Sequence, residues 1–528
     1  MLVTSYLFLA FFVVTLLLYY IVQKNMQWVV LLVASFIFYA YAGIAYVAIV
    51  GLTAGVVYGI ANLMQKNLDE QERLIKDADR KAARKIKSSK KRERKKLLIL
   101  SLCMIIGVLF YFKGSGFVIK NLNRLLDSDG HQMISSFELI APLGISFYSF
   151  MMISYLMELY NGKTRAEKNF FKYLTYVLYF PHITQGPIAK YEITSKEMFR
   201  KHFFSFDMVM KGILLMVWGY IKKLVIADRI ALFVVKIVHH SSSYNGPIFL
   251  LVGIAYSIQI YCDFSGCMDI ITGCSECFGI RLLENFRRPY FSQTMPEFWR
   301  RWHISLGAFF REYVFYPVST SSACLKINTF ARNKLGNEAG RDLASCIPIM
   351  CVWFLTGIWH GASWNYIGWG MYHGLLICLS TIFTEPLSGM MRFMKINTEG
   401  LGFRIFRMLR TFFLCLIGRL IFIGSGAMES LRMIVSMLTE WKYKISFEDL
   451  ELNGASWFVV GVTCLLLFVV SVVQERMQQN CVEGTIRDKI MTKNVYVRMC
   501  VLMAGIIFVL CFGVYGSGVG TTFIYDKF

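Results

Sequence analysis

Apolar residues in this chain come in runs long enough to cross a lipid bilayer, and they do so repeatedly. From Tyr6 to Val22 no charged residue intervenes. A helix needs about 18–20 such residues to span the hydrocarbon core. Only helices and closed barrels satisfy their backbone hydrogen bonds in lipid. Barrel strands alternate over about 10 residues, whereas these runs are continuous. The predicted fold class is therefore an all-α polytopic membrane protein. Composition agrees: 56% of the 528 residues are hydrophobic and 17% charged, against about 25% charged in soluble proteins. Disorder, a coiled coil, an ordinary cytosolic enzyme and a single-span receptor are excluded.

The charge is distributed as in a membrane protein. Lys and Arg number 56 against 34 Asp and Glu, a net charge of +22. In a soluble chain this would suggest nucleic acid; here basic loops facing the cytoplasm explain it, and no nucleic-acid partner is expected. Three spans are predicted, about Ser5–Val22, Trp28–Ala42 and Ile44–Met64. The first reads as retained, because a basic leader and a cleavage site are lacking. A basic stretch then runs from Lys66 to Lys96, including Arg80, Lys81, Arg84, Lys85, Lys87, Lys91 and Arg92. It is expected in the cytoplasm as a solvated helix or flexible arm. Spans near Leu97–Phe112 and Leu139–Leu156 return to a second basic loop at Lys163, Arg165, Lys168 and Lys172. Continued to the end, the alternation places both termini outside. The expected organisation is a three-span segment over 1–64, the basic arm over 65–96, a core over 97–514 and an external tail over 515–528. Pro181, Gly186 and Pro187 interrupt an apolar stretch, so re-entrant segments are expected there. The 14 cysteines lie mostly in apolar runs and read as small buried hydrophobes. Cys274 and Cys277 have a CxxC spacing but lack a second pair, so no metal is expected.

Four segments carry candidate chemistry. Pro296–Pro317 concentrates Trp299, Arg300, Arg301, Trp302, His303, Arg311 and Glu312 and reads as one amphipathic helix. It is either a peripheral anchor or a site in which arginines meet an anionic donor and His303 lines the pocket. Thr356–Gly374 places His360 at the end of an apolar run, between Trp359 and Gly361. An ionisable group there is costly. It is a hydrogen-bonded structural residue or a base, since imidazole accepts a proton near neutral pH. His373 reads as packing or support. Gln259–Gly273 carries Asp263 and Asp269 in apolar surroundings, each requiring a cation in space, with arginines the expected partners. Gly219–Arg229 reads as a membrane-edge helix of balanced charge. Walker A, GxSxG, HExxH and dinucleotide motifs are absent.

Taken together, FWRRWHISL with FREYVFYP, GIWHGASWNYIGWGMYHG, YCDFSGCMDI, GYIKKLVIADR, PLGISFYSF and FPHITQGPIAKY resemble the membrane-bound O-acyltransferase (MBOAT) superfamily. The likeness is to its bacterial branch of alginate O-acetylase-like and other cell-envelope polymer acyltransferases. It runs from about Pro142 to His373, and several ordered motifs make it specific. The resemblance implies a ring of roughly 11–13 transmembrane or re-entrant helices around a central tunnel. The family's two histidines fall on His360 and His303, with Arg300, Arg301, Trp359, Asp263 and Asp269 supporting or lining the substrate site. It implies a multi-pass protein of the bacterial cell membrane that passes an acyl group, acetyl in this branch, from a cytoplasmic thioester to hydroxyls of an external polysaccharide. The donor would be acetyl-CoA or an acyl-carrier thioester, with no tightly bound cofactor and no metal. An extracellular SGNH-type acetyltransferase is the implied protein partner. Two departures stand out: His182 where Gln is usual, and the long basic arm. The ending Phe523-Ile-Tyr-Asp-Lys-Phe528 is similar to an FxYxxF motif of envelope acylation systems, which makes Tyr525 a candidate acyl relay. D-alanyl transfer to teichoic acid is the alternative reading. A proton-coupled transporter or polymer exporter, using Asp263 and Asp269, is the remote one.

Overall fold

A computed structural model describes residues 1–126, 141–442, 446 and 448–515. Among the described residues the regular elements are helices, with one isolated bridge between Phe286 and Trp302. Among the described residues seven helices are long and apolar enough to cross a membrane. The chain divides into two compact units: 1–213 with 271–283, and 214–270 with the chain from 284 onward.

The first unit opens with two short apolar helices, α1 (Tyr6–Ile21) and α2 (Gln27–Ala40). The Ser5 hydroxyl caps α1 by accepting from the Phe8 N–H. Two of the seven long helices follow, α3 (Ile44–Lys76) and α4 (Arg80–Lys113). Both run without a break from apolar span into basic stretch, so the expected arm is a helical hairpin that turns at 77–79. The Asp79 carboxylate caps α4 by accepting from the Ala82 N–H at 2.6 Å. Most cations of the hairpin are exposed, but Arg94 is buried and donates to Asn67 Oδ1 (2.8 Å) and Gln71 Oε1 (2.9 Å). Neutral acceptors thus lock the two legs together. The span expected near Leu139–Leu156 becomes α5 (Ile145–Tyr160), where the described chain has resumed at residue 141.

Between α6 (Phe170–Leu178) and Tyr191 the chain is irregular and nearly all buried. Pro181 and Pro187 remove donors there, and the freed groups find partners. The Phe180 N–H donates to Ser35 Oγ at 3.0 Å, and Gly186 N–H to the His182 carbonyl at 2.9 Å. His182 is itself fully buried, with Nε2 3.0 Å from the Tyr176 carbonyl. This is covered, hydrogen-bonded irregular backbone, as the proline and glycine spacing predicts.

The second unit contains the segment Gly219–Arg229. Helix α7 (Phe206–Tyr220) widens into a π turn over Ile221–Ala227 and continues as α8 (Asp228–His239). The turn is wholly buried. It packs against the long α9 (Gly246–Cys277) at a crossing of two glycines. A Cβ on Gly219 would lie 2.5 Å from the Gly266 carbonyl, and one on Gly266 2.8 Å from the Gly219 carbonyl. Small residues allow backbones to approach this closely. The crossing brings Lys223 within 2.5 Å of Asp263 and 2.7 Å of Asp228, and Lys222 within 2.7 Å of Asp269 and 3.0 Å of Ser265 Oγ. The cations that meet Asp263 and Asp269 are therefore lysines, not the expected arginines.

Candidate active site

The segment read as one amphipathic helix is broken at its histidine. Helix α10 (Met295–Arg301) begins on the Thr294 hydroxyl and ends before Trp302; α11 (Ile304–Phe310) follows, then a π turn over Arg311–Phe315. His303, between α10 and α11, has φ 46° and ψ 55°, the left-handed region that few non-glycine residues adopt. Pairing on both sides holds it there. The Arg287 N–H donates to the Arg301 carbonyl (2.9 Å), and the Ile304 N–H to the Asn285 carbonyl (3.0 Å). The Asn285 side-chain oxygen accepts from the Ser305 N–H at 2.9 Å. A helix through this point would point His303 elsewhere; the bridge to 285–287 aims it inward, where it is 3% exposed.

His360 is the last residue of α12 (Asn337–His360), and α13 (Trp364–Phe393) starts three residues after Gly361. The two helices form a close hairpin. A Cβ on Gly357 would lie 2.6 Å from the Tyr366 carbonyl, and one on Gly370 2.3 Å from that of Trp353. Asn365 secures the turn, donating to the Gly424 carbonyl at 3.0 Å beyond the end of α14 (Leu401–Ile423). His360 is 5% exposed. Its ring packs on Trp359 (centroids 4.6 Å apart), Trp369 (4.8 Å) and Phe422 (5.3 Å).

His303 and His360 line one cavity of about 450 Å³. Its walls are largely aromatic, with Trp299, Trp302, Phe310, Trp353 and Trp369 among them. Trp359 touches both imidazoles, with its ring 6.0 Å from His303 and 4.6 Å from His360. Phe264 of α9 packs on the other side of His303 at 4.8 Å. Two titratable rings are thus held by packing in one aromatic-walled space.

The other predicted residues separate. Arg300 is exposed and lines the cavity. Arg301 turns away from it to ion pairs with Glu475 (3.1 Å) and Glu297 (2.8 Å). Glu475 lies on α15 (Gly454–Gln479) and also meets Arg288 at 2.7 Å. Asp263 and Asp269 do not line the cavity; they hold the lysines of the π turn. His373 is buried against Trp299, Trp353 and Trp369, with ring centroids 4.9–5.5 Å apart. Tyr525, with Phe523 and Phe528, lies outside the described residues. Among the described residues no group of three or more His, Cys, Asp and Glu side chains is placed to hold a metal ion.

Sequence reasoning missed Arg419. It is 3% exposed near the C-terminal end of α14, with its guanidinium 4.4 Å above the Trp302 ring. Its Nε and Nη2 have no hydrogen-bond partner among the described residues. The signal was an arginine within the apolar half of a helix, beyond the basic cluster at Arg404, Arg407 and Arg410.

The sequence profile of the membrane-bound O-acyltransferase family matches residues 16–425. A Pseudomonas syringae pv. tomato protein named "Probable alginate O-acetylase AlgI" is 29% identical over 459 residues, covering 85% of this chain and 76% of that protein. A Helicobacter pylori peptidoglycan O-acetyltransferase is 28% identical over 54% of this chain and 56% of its own length. A Bacillus subtilis teichoic acid D-alanyltransferase is 30% identical over a smaller share, 47% of this chain and 60% of its own. With the profile spanning both histidines, the chain belongs to the membrane-bound O-acyltransferase family.

Proposed function

We propose that this multi-pass protein resides in the bacterial cell membrane, with both termini outside, and transfers an acetyl group from a cytoplasmic thioester to hydroxyls of an external polysaccharide. The observation that carries the reading is the single aromatic cavity shared by His303 and His360. The relatives named for alginate and peptidoglycan acetylation match more of the chain than the one named for D-alanyl transfer, which favours acetyl. The transporter reading is less favoured, because Asp263 and Asp269 brace the lysines of the π turn and neither lines the cavity.

In the proposed reaction a hydroxyl attacks the thioester carbonyl carbon while His360 accepts its proton. The tetrahedral intermediate collapses, the carbon–sulfur bond breaks, and the leaving thiolate takes the proton from the imidazolium. The products are an ester and a free thiol, and the base is regenerated. His303 faces the same space and supports the developing charge or orients the hydroxyl. The acceptor is the polysaccharide itself or a relay hydroxyl. Tyr525 is the candidate relay, passing acetyl on to the polymer with an extracellular SGNH-type acetyltransferase.

Purified protein supplied with labelled acetyl-CoA, or with acetyl on a carrier protein, should place ester-bound label on an added oligosaccharide or on its own tail. Label in neither, from either donor, would remove the reading. Tyr525→Phe keeps the ring and removes only the hydroxyl; loss of polymer acetylation at matched protein level would support the relay, and unchanged acetylation would exclude it.

A further inference from the structure

The arginines around the cavity are of two kinds. Arg288 and Arg301 share the Glu475 carboxylate, and Arg301 also holds Glu297. Their charge is spent within the fold. Arg300 and Arg311 are different. Both are exposed, both line the cavity with His303 and His360, and neither makes an ion pair or a hydrogen bond among the described residues. No carboxylate is among the lining residues. The cavity therefore carries two guanidinium groups without a counter-charge among the described residues, whose exposed heads attract an anion with a strength that depends on salt.

The shape fits an extended substrate. The lining follows α12 from Ile349 through Val352, Trp353 and Thr356 to His360. That is a path of about 16 Å at the helical rise of about 1.5 Å per residue.

We propose that Arg300 and Arg311 form an anion clamp that takes a phosphate or carboxylate group of a substrate whose reactive atom lies at His303 and His360. The proposal rests on the acyl-transfer reading above. Guanidinium groups match both oxyanions through paired N–H donors, which a lysine cannot reproduce. Two substrates offer such a group: a donor with the phosphates of coenzyme A, and an acceptor with uronate carboxylates.

The test separates these sources. Arg300→Gln/Arg311→Gln protein is compared with wild type in transfer from acetyl-CoA and from acetyl-pantetheine, which lacks phosphate. Acceptors are an oligouronate and its carboxyl-reduced, neutral counterpart. The clamp predicts at least a tenfold rise in KM for the anionic form of one substrate, little change for its neutral form, and kcat largely retained. The penalty should shrink at high salt for wild type and variant alike, as their KM values converge. Lysine at both positions should recover only part of the loss. If acetyl-CoA alone is affected, the clamp holds donor phosphate; if the oligouronate alone is affected, it holds acceptor carboxylate. Equal loss with charged and neutral forms of both substrates, or no loss at all, overturns the proposal. Equal loss would assign these arginines to lipid headgroups or folding. Wild-type protein that transfers from neither donor would instead fail the acyl-transfer reading itself.

Discussion

At Lys223 a buried ammonium is met by two carboxylates, Asp228 at 2.7 Å and Asp263 at 2.5 Å. At His360, about as deeply buried, the surroundings are the rings of Trp359, Trp369 and Phe422. Both places lie in the second unit, and both put ionisable groups in apolar surroundings at a cost. Around Lys223 the charges are matched one against another, as in Lys222 with Asp269 and Arg301 with Glu475. Around the cavity the groups are a titratable ring pair and two unmatched guanidiniums. Matched charge fixes helices against one another; the guanidiniums of Arg300 and Arg311, without a counter-charge among the described residues, remain available to a substrate. Substitutions in the first region should therefore act on stability, and those in the second on transfer.

The largest stability effect is expected at Lys223. Lys223→Met leaves Asp228 and Asp263 buried without their ammonium, which should cost about 3–5 kcal/mol. A thermal melt in detergent should show a lowered midpoint. Adding Asp228→Asn and Asp263→Asn should recover much of the loss, because neutral groups need no counter-ion. A Lys223→Met protein melting like wild type would break the comparison at its first term.

A smaller effect is expected at Arg301. Arg301→Met removes one of the two arginines that share Glu475, and Arg288 remains. The cost should be about 1–3 kcal/mol. A double-mutant cycle with Glu475→Gln should give a coupling of about 0.5–3 kcal/mol. A cycle showing no coupling would mean that this pair does not brace the fold.

His303→Asn should sharpen the contrast. Asparagine tolerates the left-handed backbone, so the loss of stability should be confined to the lost ring packing, about 1–3 kcal/mol. Transfer should fall by roughly 10²-fold, if the ring supports proton transfer. The smallest effect is expected on the hairpin, where Lys81→Gln/Lys85→Gln touches only exposed side chains and should remain within about 0.5 kcal/mol.

How far these regions were legible in the sequence follows from the range of the forces. Apolar runs are local, so the helical class and most spans could be read directly. The irregular segment after Leu178 announced itself through Pro181, Gly186 and Pro187. The partners of Asp263 and Asp269 did not, because they lie about 40 residues away and meet only where Gly219 and Gly266 let two helices cross. The same lysines looked balanced by their sequence neighbours, which gave no sign that the turn would be buried. The break at His303 was hidden as well. The 296–317 stretch has helical periodicity, and its interruption is imposed by backbone pairing with 285–287. His303 and His360 were visible as residues through the motifs around them, but their common cavity required the fold.

The central claim is that His360 does chemistry and does not hold the structure. The most direct measurement pairs a melt with a transfer assay on one purified His360→Ala protein, using labelled acetyl thioester and oligosaccharide acceptor. The account predicts that the melting midpoint stays close to wild type while transfer falls by about 10²–10⁴-fold. Transfer at the wild-type rate, or a loss of transfer that only follows a collapsed midpoint, would contradict it.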